Sequence, residues 1–218
     1  PWGVKFMSMF HMANDSHLFK TRTELEALGF HLFGNRMVKG EEVYLPLYEA
    51  KMIWQFDHRF GTYAGVESRS STHLPTPTEK QYQDPNFVVI PWYWVSKGNI
   101  INRLGNREKK WLTGSRDIAR CTDERTSIFS INVLSAISGL NLFFFKKNSI
   151  FISMFSSNFN TINFDYCSRQ KISGVHLNQS PIKQLPVLPP EIYTPSDIQF
   201  IVPRVLELTY TAWDIKAF

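Results

Sequence analysis

Leu140-Asn-Leu-Phe-Phe-Phe-Lys-Lys-Asn-Ser-Ile-Phe-Ile-Ser-Met-Phe155 is the most apolar stretch of the chain, and its pattern changes in the middle. Leu140 to Lys146 reads as a strand. From residue 149 onward Ile150, Met154, Ile162, Phe164 and Tyr166 fall at helical spacings, predicting one or two helices that end near Lys171. The polar break at Lys146, Lys147 and Asn148 leaves no run approaching the roughly eighteen apolar residues of a membrane span. A soluble, cytoplasmic protein without a membrane partner is therefore expected.

Upstream of this switch, strands dominate. Pro1 to Phe10 alternates loosely, and a Thr21/Glu24 capping box opens a short helix closed by Gly29. Phe30–Phe33, the Gly34-Asn35 turn and Arg36–Val38 predict a hairpin followed by a third strand, Val43–Leu47. Tyr48, Met52, Ile53 and Phe56 are spaced as a helix. Residues 57–86 read as loop, Val88–Val95 as an edge strand around Pro91, and Ile100–Trp111 as a polar helix. Further strands are expected near Ile118, over Thr126–Leu134 and over Leu140–Lys146. Downstream, Leu185–Pro190 forms an extended connector, and Ser196–Ala212 a closing helix that Pro203 should kink. Strands first and helices afterwards predict an α+β fold with a mixed or antiparallel sheet. The division is a sheet-rich part, 1–148, and a helical connector packed on it, 149–218, or one continuous domain.

The composition narrows function only a little. With 218 residues, 43% of them hydrophobic, the chain buries a core, and its formal charge of +5 permits a polyanionic partner without requiring one. Cys121 and Cys167 match no metal or redox spacing and read as free thiols of a reducing compartment. The chain opens at Pro1 without methionine or leader, which reads as a segment of a longer protein whose neighbours carry the chemistry.

Catalytic signatures fail one by one. Asp84-Pro85-Asn86-Phe87 lacks the second proline of the adenine-methyltransferase loop, and Leu188-Pro189-Pro190-Glu191 lacks its polar and aromatic ends. Glu49-Ala50-Lys51 supplies the tripeptide of a magnesium nuclease, but at the start of an apparent helix rather than on a strand with an upstream acidic partner. Asp57-His58 has no second ligand at useful spacing. No catalytic or metal site is expected, and a nuclease built on Glu49 and Lys51 is the remotest reading.

Several segments carry a resemblance. Tyr44-Leu-Pro-Leu-Tyr-Glu-Ala-Lys-Met-Ile-Trp-Gln-Phe-Asp-His-Arg-Phe-Gly-Thr-Tyr63 resembles a stretch that follows the catalytic domain in large N6-adenine DNA methyltransferases of type IIG restriction-modification and related phage-defence systems. Arg116–Thr126, Phe164–Asn178, Gln184–Pro190 and Leu206–Asp214 are similar to that family in the same order. The resemblance implies a target-recognition domain with no complete catalytic site of its own. Double-stranded DNA would be its partner, together with the methyltransferase and any nuclease domain of the parent. S-adenosylmethionine, and magnesium for cleavage, would belong to the parent enzyme; no cofactor is expected in this chain.

The residues fit that role in their own right. Arg59, Arg116, Arg120 and Arg125 have the forked donors that meet guanine or phosphate, and Gln55 and Asn178 the amides that pair with adenine. Lys51, His58, Lys171 and His176 complete the candidate DNA-binding set. For Arg125, with Asp123 and Glu124, an ion-pair network within the fold is the competing reading. Trp92, Tyr93 and Trp94 are expected in the core. A protein-interaction scaffold that docks catalytic domains is the alternative function.

Overall fold

The computed structural model describes residues 1–71, 73–105 and 107–218. In chain order its strands are β1 (Lys5–Met7), β2 (Lys20–Thr21), β3 (His31–Phe33), β4 (Arg36–Lys39), β5 (Glu42–Glu49), β6 (Tyr93–Ser96), β7 (Trp111–Arg116), β8 (Phe129–Val133), β9 (Ala136–Ser138) and β10 (Leu140–Phe144). The helices are α1 (Arg22–Ala27), α2 (Glu79–Gln83), α3 (Lys97–Leu104), α4 (Ser149–Phe159), α5 (Ile162–Lys171), α6 (Gln179–Ile182) and α7 (Pro195–Thr209). The fold is α+β.

Two sheets form. One is antiparallel in the order β1-β10-β7-β8; the other runs β2-β6-β5-β4-β3, with β9 added in parallel to the far end of β5. Strand periodicity sets the layers. On β10, Leu140 and Leu142 turn into a core shared with Leu45, Leu47 and Val95 of the second sheet, whereas Phe143 and Phe145 turn the other way. On that second side they meet Ile152, Phe155 and Phe159 of α4. The four-stranded sheet thus lies between the second sheet and the C-terminal helices. A smaller cluster of Leu25, Phe30, Met37 and Trp94 seals α1 against the second sheet.

The polar break in the apolar stretch is a helix start: the Asn148 side chain accepts the Phe151 N–H, and α4 follows. Its Phe155 and Phe159 pack on Phe129 and Phe143 with ring centroids 5.2–5.7 Å apart. The helical part therefore shares its core with a sheet. Other expectations hold closely. Thr21 and Glu24 make the reciprocal capping box of α1, Gly29 takes φ +86° after it, and β3 and β4 pair around Gly34-Asn35. Pro195–Thr209 forms the closing helix through Pro203, and both cysteines are free.

Four elements differ from the sequence reading, one of them α2, which forms within the stretch 57–86 read as loop, capped by Thr78. The helix expected over Tyr48–Phe56 is instead the end of β5 and a single tight turn, Ala50–Met52. Leu47 and Tyr48 pair with Ala136 and Ile137 and are fully buried, so both faces of the strand are apolar and its alternation is hidden. Phe56 then has φ +64°, a left-handed conformation in which no α-helix continues. Of the strand expected over Val88–Val95, only the part beyond Pro91 pairs, as β6. The helix expected from Ile100 to Trp111 runs from Lys97 to Leu104, ends at Gly105 (φ +63°), and leaves Trp111 to open β7.

Candidate nucleic-acid interface

The ten candidate side chains separate into an inward and an outward group. Arg59 is completely buried: Nη1 donates to the carbonyls of Asp84 and Phe87 (both 3.1 Å), and Nη2 to those of Tyr82 (3.3 Å) and Thr211 (2.9 Å). His58, equally buried, lies 2.9 Å from Asp214 through Nε2. Together they tie the loop after β5 to the segment that follows α7. Gln55 donates to the carbonyls of Ser127 (3.2 Å) and Asn160 (3.3 Å).

The Lys51 ammonium donates to the carbonyls of Arg69 (3.0 Å) and Ser71 (2.6 Å), and burial pulls its pKa down. Arg116 donates to the Ile53 carbonyl and stands over the stacked Trp54 and Phe60 rings, where burial lowers its pKa to about 10. The sequence reading has all five facing DNA; His58 and Arg59 are instead buried, and Lys51, Gln55 and Arg116 are partly buried with their side chains bonded to the fold. In each case a side-chain donor meets a backbone carbonyl or a carboxylate of the fold, while the buried His58 Nδ1, Arg59 Nε and Arg116 Nε have no partner among the described residues. Glu49 is similarly engaged: its two oxygens accept from the Tyr63 hydroxyl (2.8 Å) and the Arg69 guanidinium (3.0 Å), so the Glu49-Lys51 pair is built into the fold.

The outward group is Arg120, Arg125, Lys171, His176 and Asn178, all exposed except the half-buried Arg125. Two loops distant in sequence bring them together. Ile118 and His176 form an antiparallel bridge, flanked by hydrogen bonds from Ala119 N–H to the Val175 carbonyl (3.0 Å) and from Leu177 N–H to the Asp117 carbonyl (2.7 Å). The His176 Nδ1 atom lies 3.0 Å from the Asp117 carboxylate. Asn178 caps α6 by accepting the Ser180 N–H, leaving its amide nitrogen outward. Arg125 makes no ion pair among the described residues; Asp123 instead accepts the Arg120 N–H at 2.9 Å.

Two residues that the sequence reading did not single out organise this surface. Arg169 of α5 donates to the carbonyls of Cys121 (2.6 Å), Asp123 and Glu124 (both 2.8 Å), and to the Asp165 carboxylate at 2.8 Å. Asp165, nearly buried, accepts the N–H groups of Thr126 (2.7 Å) and Ser127 (2.8 Å). Burial pushes its carboxyl up, but the Ser127 and Thr126 N–H groups and Arg169 outweigh that and hold it below its ordinary value. The spacing of Asp165 and Arg169, i and i+4 on a helix, was the available signal.

Beside the bridge opens a cleft of about 480 Å³ whose walls include His11, Arg103, Asp117, Ser138 and His176. Arg103 pairs with Asp15, whose carboxyl is held low chiefly by the His11 N–H. Among the described residues no three His, Cys, Asp or Glu side chains gather as a metal site, and no helix is long and apolar enough to cross a membrane. No protein-family model matches the chain, and no curated protein or solved structure matches it significantly.

Proposed function

We propose that this chain is a DNA target-recognition module of a larger adenine-N6 methyltransferase in a restriction or phage-defence system. The segment resemblance supplies the family. The observation that carries the DNA-binding part is the Ile118–His176 bridge, which sets the loop bearing Arg120 and Arg125 beside the segment bearing Lys171, His176 and Asn178. The outward side-chain donors suit phosphates and groove edges, and the exposed carboxylates of Asp123 and Glu124 share the loop with Arg120 and Arg125. S-adenosylmethionine, and magnesium for cleavage, belong in this reading to the parent's other domains.

Selection from a randomised duplex library at near-physiological salt tests it. One enriched short motif, lost when Arg120 and Lys171 are changed to alanine, is the expected result. Absence of retention, or retention unaffected by those changes, overturns it.

The scaffold reading has its own support. Phe200, Leu206, Leu208 and Trp213, on and just after α7, are 59%, 40%, 53% and 57% exposed, apolar side chains open to contact with other domains.

A further inference from the structure

The β3–β4 hairpin carries a feature that the packing leaves unexplained. Phe33, at its tip, is 73% exposed, more than any other large apolar side chain among the described residues. The tip around it is firmly held. The Trp94 indole N–H donates to the Asn35 carbonyl at 2.7 Å, the Asn35 amide donates to the Val89 carbonyl at 3.3 Å, and Gly34 turns the chain at φ +61°. Leu32 and Met37, paired across the strands, pack into the small core beneath. Phe33 is directly opposite Arg36, so the two share the outer face, and His31 shares it two residues along. Arg36 and His31 are exposed, and neither pairs with a carboxylate among the described residues. The acidic pair Glu41 and Glu42 lies at the opposite end of the hairpin, by the β4–β5 turn.

We propose that this hairpin is a wedge for duplex DNA: Phe33 inserts between neighbouring base pairs from the groove, while Arg36 and His31 meet the flanking phosphates. The inference rests on the DNA-binding reading above and adds deformation of the duplex to it. An apolar side chain that unstacks a base step has to be presented rigidly, because ordering it on binding would consume the gain from stacking. The Asn35 and Trp94 anchors supply that rigidity, and the adjacent Arg36 guanidinium matches the charge of the backbone beside an opened step, with the His31 ring as a further hydrogen-bonding group.

The test uses the whole chain with duplexes carrying 2-aminopurine at successive positions. The wild type is expected to bind and to raise the probe's fluorescence at one step. Phe33→Ala should abolish that rise and weaken binding roughly tenfold, with thermal unfolding unchanged because the side chain is exposed. Phe33→Trp should restore the rise and show quenching of its own emission on binding. Equal affinity and equal fluorescence for Phe33→Ala and wild type would overturn the wedge while leaving DNA binding intact. Failure of the wild type to bind any duplex would overturn the DNA reading and the wedge with it. A fall in sedimenting mass for Phe33→Ala, with DNA binding unaltered, would make the tip a contact between copies of this chain and also overturn the wedge.

Discussion

Arg59 holds backbone carbonyls of two separate segments, 82–87 and Thr211, and no lysine reproduces that: an ammonium lacks the planar fork that reaches Asp84, Phe87, Tyr82 and Thr211 together. Arg59→Ala is expected to cost roughly 3–5 kcal/mol by urea denaturation, and Arg59→Lys should recover only a small part. Asp165 gives a pH signature. Its folded pKa lies below the ordinary aspartate value of 3.8, so its stabilisation is complete above that value and is lost as pH falls through the depressed folded pKa. Asp165→Asn should lower stability near neutral pH by about 2 kcal/mol, with the difference from wild type shrinking as urea midpoints are taken at lower pH. The sequence identified the inward residues as cations and donors but not their direction. The acceptors of Arg59, Gln55 and Lys51 are backbone carbonyls, and every residue type offers a carbonyl, so no pattern of side chains reveals them. Arg120 and Lys171 stand exposed, Arg120 in the loop after β7 and Lys171 as the last residue of α5.

At the scale of elements, local chemistry was legible and tertiary pairing was not. The Thr21/Glu24 capping box placed the start of α1, and the hairpin turn placed β3 and β4, because those signals act within a few residues. The end of β5 was misread because its second partner, β9, lies about ninety residues downstream and buries the face that solvent would otherwise mark. Two changes probe the elements. Thr194 accepts the Asp197 N–H and Asp197 accepts back, so Thr194→Ala should cost α7 about 1 kcal/mol, read from thermal unfolding. At Gly61 an added Cβ would stand 2.7 Å from the Lys51 carbonyl oxygen, a backbone atom. Gly61→Ala should therefore destabilise by about 1–3 kcal/mol and loosen the Lys51 loop, visible as faster amide exchange at Gly61, whose N–H bonds to the Met52 carbonyl.

For the whole molecule, the division into sheet and helices was legible, whereas the layering was not, since the two faces of β10 differ only in which aliphatic or aromatic partner they meet. Because Phe129, Phe143 and Phe145 share one core with Ile152, Phe155 and Phe159, a fragment ending at residue 148 should aggregate or bind hydrophobic dye rather than fold. For the outward surface, changing Arg120, Arg125 and Lys171 together to alanine should flatten the salt dependence of duplex binding by roughly one unit of slope for each phosphate that is no longer neutralised. The Arg59–Thr211 bond spans 152 residues. At a ribosomal rate of about 5–20 residues per second, the loop around Arg59 waits roughly 8–30 seconds for that partner carbonyl to be synthesised. During translation the enclosure of this cation is thus a late step, completed only after the segment following α7 has been made.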